Sequence, residues 1–183
     1  MEQYHKLGFT GAIGSTDVTH VRWDRCKYSL ACGYTGKEGL PTIAYQATGD
    51  HSGRVLAVTQ GFPGAQHDKT IIRYDMANFR VEKWKWTHVT LARLLFFVKR
   101  AVGDPFPPTK TPLSAEEVRW SETLESVRRD LECFFGVLKG RFRILKLPIV
   151  CQSRERIDNV FFTCCILHNM LHTFDGLDVS RPT

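Results

Sequence analysis

The stretch Gly11-Ala12-Ile13-Gly14-Ser15-Thr16-Asp17-Val18-Thr19-His20-Val21 decides how the chain is read. It is built of small and β-branched residues, which favour an extended strand packed on a sheet. One carboxylate, Asp17, stands in the middle of it. An acid inside a half-buried strand is costly unless it is paired or binds a cation. Asp17 is therefore a candidate catalytic or metal-binding residue. The alternative is a turn cap assisted by Ser15 and Thr19.

Moving outward, Asp24 to Gly39 is polar and glycine-rich and reads as a loop. Thr42–Thr48 and Arg54–Gln60 have β-type composition and flank Gly49-Asp50-His51-Ser52-Gly53, a hairpin signal. Gly61-Phe62-Pro63-Gly64 marks a chain reversal. Asp68 is placed to cap a short helix over Lys69–Ala77. His67 and Asp68 could instead act at a metal or proton-transfer site.

Residues 79–112 match no element well. Four of the eight prolines lie between Pro105 and Pro112, which reads as a loop or linker. Ser114-Ala115-Glu116-Glu117 is a capping box. Behind it Leu124, Val127, Leu131, Phe134, Phe135 and Leu138 recur at helical spacing, predicting a long helix that Gly140 ends. Glu132 flanks this stripe, either as a functional acid or as one member of the helix's i,i+4 ion pairs with Arg128. A second helix is predicted from Ser153 to about Gly176. Its apolar face is Ile157, Val160, Phe161, Cys164, Leu167, His168 and Leu171. The order of elements predicts an α/β sheet with helices packed against it.

The chain has 183 residues, 25 Lys+Arg and 19 Asp+Glu, for a net charge of +6. That length suits one domain, with residues 1–10 and 177–183 as tails. The charge permits a polyanionic partner without requiring one. Lys139, Arg141, Arg143 and Lys146 form a basic cluster around Phe142. They suit contact with phosphates, or equally form a solvated turn. The six cysteines include an adjacent pair and show no Cys-x-x-Cys spacing, so zinc is disfavoured and reduced thiols in an intracellular setting are expected. Cys164 and His168 read as core. The N-terminal residues show no signal-peptide pattern. The apolar run Leu91–Val102 is too short and too charged to span a bilayer. There is no Walker loop and no Gly-x-Ser-x-Gly elbow, which disfavours nucleotide hydrolysis and serine-hydrolase chemistry.

Four blocks in this order resemble the PIF/Harbinger-type DDE transposases. They are Gly14-Ser15-Thr16-Asp17-Val18-Thr19-His20 and the hairpin-and-turn block from Tyr45 to Asp68. The others are Arg128-Arg129-Asp130-Leu131-Glu132-Cys133-Phe134-Phe135-Gly136-Val137-Leu138-Lys139-Gly140-Arg141-Phe142 and Cys165-Ile166-Leu167-His168-Asn169. The resemblance covers about residues 11–78 and 112–172. It implies an RNase H-like mixed sheet with flanking helices, over residues 11–176. It also implies a three-carboxylate site holding Mg²⁺ or Mn²⁺ and cleavage and transfer of DNA strands. By that pattern Asp17 is the first acid and Glu132 the last. The second acid has no good copy. Asp104, in Gly103-Asp104-Pro105-Phe106-Pro107, is the nearest echo, and Asp68 is the alternative ligand. The resemblance further implies a nuclear location, DNA as partner and a separate DNA-binding protein beside it. The departure at the second acid leaves a rival: a non-catalytic DNA- or protein-binding remnant.

Overall fold

The computed structural model describes residues 4, 6, 7, 9, 14–68, 70, 71, 74 and 115–175. Strand β1 (Ser15–Arg22) pairs antiparallel with β2 (Thr42–Gly49), in a register that sets Asp17 opposite Ala47, Thr19 opposite Tyr45 and Val21 opposite Ile43. On its other side β2 pairs antiparallel with β3 (Val55–Val58) and then with β4 (Phe62–Pro63). Every residue of β2 is buried, as befits a strand flanked on both edges and covered on both faces. The predicted hairpin is present, turning at Gly53 in a left-handed conformation (φ +91°) that suits glycine. Among the described residues the sheet is antiparallel. An isolated parallel bridge joins Trp23 and Ile149.

Strand alternation sends Val21, Ile43, Tyr45 and Ala47 to one face. There they form the main core with Phe134, Leu138, Ile157 and Phe161. Those partners come from two long helices, α2 (Ala115–Arg141) and α3 (Arg154–Phe174). Tyr45 stacks on Phe161 with ring centroids 4.0 Å apart. The opposite face of β1 and β2 is polar: Thr16 and Thr48 hydroxyls meet at 3.3 Å, and His20 hydrogen-bonds Thr42 at 3.0 Å.

Several expectations need correction. The predicted loop 24–39 contains a seven-residue helix, α1 (Tyr28–Tyr34), whose buried Tyr34 packs edge-on against Trp23. Helix α2 runs through Gly140 to Arg141, because the chain continues into a 3₁₀ turn at Arg143–Leu145 without needing a left-handed residue. The turn after β4 starts at His67, whose carbonyl accepts from Thr70 and Ile71, so Asp68 lies inside the first turn and does not cap it. In α3 the predicted Ile157, Phe161, Cys164 and His168 are buried, but the buried face widens to one side: Asp158, Cys165 and His172 are buried too, whereas Leu167 and Leu171 are exposed. The reading of residues 79–112, the capping Ser114 and most of the predicted helix 69–77 lie outside the described residues.

Candidate active site

Asp17 shares its strand row with Thr19 and Val21, so it stands on the face that carries the helices. It is half-buried. Glu132 is exposed on α2, the helix that packs along β1. The two elements are tied by one bond: the Lys139 ammonium donates to the His20 carbonyl at 2.9 Å. Lys139 lies seven residues after Glu132, so both project from the same side of the helix. Both lie on the flank of the helix, beside the inward face of Val127, Phe134, Phe135 and Leu138. Desolvation of this half-buried amine pulls the Lys139 pKa down, opposed by the charge of Glu38.

Asp68 occupies a different setting. Its carboxylate lies 4.0 Å from Lys37 and its charge acts on the His20 ring. His20 points to the sheet face opposite Asp17, because the two are three residues apart on one strand. The His20 pKa is lowered, first by desolvation and then by Lys37. Asp104 lies outside the described residues. Among the described residues no three His, Cys, Asp or Glu side chains converge on a point that would hold a metal ion.

The basic cluster divides. Lys139 is committed to His20, and Arg141 donates to Asp175 at 2.7 Å. Arg143 and Lys146 are exposed.

The last block proves to be a clamp on the hairpin. The Asn169 amide accepts from the Val55 N–H at 2.9 Å and donates to the Val55 carbonyl at 2.8 Å. One side chain thereby stands in for a neighbouring strand along the edge of β3, where open N–H and C=O groups would otherwise invite pairing. His168 donates from Nε2 to the Gly53 carbonyl at 2.9 Å, and His172 bonds the Ser52 carbonyl at 2.7 Å. Cys164 and Cys165 are buried, as expected, and burial pushes the Cys165 thiol up to about 12.

One buried acid escaped the sequence reading. Asp158 is 7% exposed and accepts from the Tyr45 hydroxyl at 2.7 Å, with Arg154 3.9 Å away. The Arg154 pKa is raised, first by its hydrogen bond to Tyr34. Gly61 passes so close that a methyl group there would lie 2.6 Å from an Asp158 oxygen. The spacing 158, 161, 165, 168, 172 was available in the sequence as a helical face, but it mixes an acid and two histidines with apolar residues.

Comparison with known proteins adds a family. The profile described as DDE superfamily endonuclease matches residues 16–169. "Putative nuclease HARBI1" of Bos taurus is 25% identical over 184 residues, covering 97% of this chain and 50% of that protein. The human protein of that name is 24% identical over the same length. "Protein ALP1-like" of Arabidopsis thaliana is 26% identical over 182 residues, covering 90% of this chain and 44% of that protein. The chain thus spans about half the length of the curated relatives it matches. No solved structure matches it.

Proposed function

Because the chain belongs to the DDE superfamily endonuclease family, we propose that it is the metal-dependent DNA-cleaving and strand-transfer domain of a Harbinger-type transposase, on an RNase H-like sheet. The observation that carries this reading is the placement of Asp17 and Glu132 on two elements joined by the Lys139–His20 bond. The donor set fits: carboxylate oxygens suit hard divalent cations such as Mg²⁺ and Mn²⁺. Asp17 and Glu132 would hold the metal, with Asp104 as the third acid; Asp68, the alternative, is set instead beside Lys37 and His20. Such cations activate a hydroxyl nucleophile and stabilise the leaving oxygen of a phosphodiester. The protein's part is positioning. The strand holds Asp17 rigidly, the helix presents Glu132, and the Lys139 tie limits their relative movement.

DNA is the substrate in this reading, and the nucleus the compartment. A separate DNA-binding protein is the partner that the family resemblance implies. Among the described residues no helix is long and apolar enough to cross a membrane.

The test is nicking of DNA by the purified protein with Mg²⁺ or Mn²⁺. Cleavage lost in Asp17→Ala and in Glu132→Ala supports the assignment. Equal activity in either variant overturns it. A second reading, a non-catalytic binding remnant, rests on the sequence, which has no good copy of the second acid. Salt-sensitive DNA binding without cleavage would select that reading.

A further inference from the structure

The chain's positive charge is concentrated. Residues 22–28 carry three cations and one acid, and residues 142–156 carry four cations and one acid. These 22 residues hold a net +5 of the chain's +6. The segments are more than a hundred positions apart in sequence, yet the fold lays them side by side. Ile149 donates its N–H to the Arg22 carbonyl at 3.0 Å, Trp23 and Ile149 form the parallel bridge, and the Trp23 indole donates to the Cys151 carbonyl at 2.7 Å.

Within this surface some charges are already used. Arg22 pairs with Asp24 at 2.8 Å, and Arg154 is engaged with Tyr34 and Asp158. Arg25, Lys27, Arg143 and Lys146 are exposed, two from each segment. Tyr28 follows Lys27 and is 98% exposed, which leaves a bare aromatic ring beside the cations. A basic surface with an adjacent free aromatic suits a nucleic-acid strand: ammonium and guanidinium groups meet phosphates, and the ring stacks on an unpaired base.

We propose that Arg25, Lys27 and Tyr28 join Arg143 and Lys146 in one composite surface that holds the backbone of a DNA strand. Lys139 and Arg141, committed inside the fold, contribute little to it. The inference rests on the DNA-endonuclease reading but extends the contact surface to a segment outside the four sequence blocks.

Fluorescence anisotropy with labelled duplex and single-stranded DNA, over a series of salt concentrations, tests it. Arg25→Ala/Lys27→Ala is expected to weaken binding about tenfold and to lower the salt slope by about two, matching Arg143→Ala/Lys146→Ala. Tyr28→Ala is expected to weaken single-stranded binding more than duplex binding. Circular dichroism of each variant shows that the fold is kept. The proposal is overturned if the Arg25/Lys27 variant binds within about twofold of the unmodified protein, whatever the Arg143/Lys146 variant does. If the unmodified protein binds no DNA, the surface and the nuclease reading fall together. If binding follows the expected pattern but no metal-dependent nicking occurs, the surface stands and the nuclease reading alone falls.

Discussion

Asp158 and Glu132 are both acids on long helices, and their surroundings are opposite. Asp158 is buried against Tyr45, with Arg154 alongside, while Glu132 is exposed on the flank of α2. A buried acid with its own hydroxyl and guanidinium partners has its bonding capacity committed within the fold. It locks α3 to the sheet. Glu132 stands on a helix that a single bond, Lys139 to the His20 carbonyl, ties to the strand bearing Asp17. Burial alone nominates Asp158, whereas the proposed site takes Glu132.

The largest effect expected from breaking this contrast is at Asp158. Asp158→Ala leaves a buried tyrosine hydroxyl unpaired and the guanidinium without its acid, at a cost of about 3 kcal/mol in chemical denaturation. Adding Tyr45→Phe should recover part of that loss, because both hydrogen-bonding partners are then gone. A double variant no more stable than the single one would show that the hydroxyl bond is not the lock.

Next is the hairpin clamp. Asn169→Ala removes both bonds to Val55, and about 1–2 kcal/mol should be lost. Amide hydrogen exchange at Val55 should accelerate while exchange in α2 stays unchanged. Uniform acceleration would mean that Asn169 supports the whole fold and not the hairpin edge.

A smaller effect should appear with pH. His168 is 2% exposed, its Nδ1 is buried without a hydrogen-bond partner, and desolvation comes first among the causes that lower its pKa. Arg141 and His172 add repulsion, and the Gly53 carbonyl opposes them. His20 is lowered as well. A depressed histidine takes up protons more readily in the unfolded chain, so folding is favoured fully above about 6.5 and progressively less as pH falls below it. The denaturation midpoint should therefore drop between about pH 7.5 and about pH 5.5, and drop less in His168→Gln.

The smallest change in stability is expected at Glu132. Glu132→Ala should stay within about 0.5 kcal/mol of the unmodified protein, as exposed positions do, while abolishing metal-dependent nicking. A destabilisation as large as that of Asp158→Ala would put the two acids in the same class and remove the contrast.

Much of the architecture was legible because it rests on local chemistry. The turn 49–53 between two β-branched runs specified a hairpin, and the spacing of Val127, Phe134, Phe135 and Leu138 specified a helix with that face inward. The seven-residue helix at Tyr28–Tyr34 was not legible. Its sequence has no side-chain N-cap bond, and Tyr34 is fixed by contact with Trp23. The widened buried face of α3 was hidden for a similar reason. Leu167 and Leu171 are the more apolar choices, yet Asn169 and His172 join the predicted His168 because they satisfy backbone groups of the hairpin. A hydrophobic pattern cannot register demand for hydrogen bonds from a distant strand.

The sequence by itself determined the family and nominated Asp17 and Glu132, since four ordered blocks of residues carry that information without any geometry. Only the tertiary structure decided which charges are free to act. It commits Lys139 to His20 and Arg141 to Asp175, buries Asp158, and joins the segment before Arg25 and Lys27 to the one after Arg143 and Lys146 through Trp23 and Ile149. The reason is that a charge is defined by its neighbours, and these neighbours come from parts of the chain that local sequence does not connect.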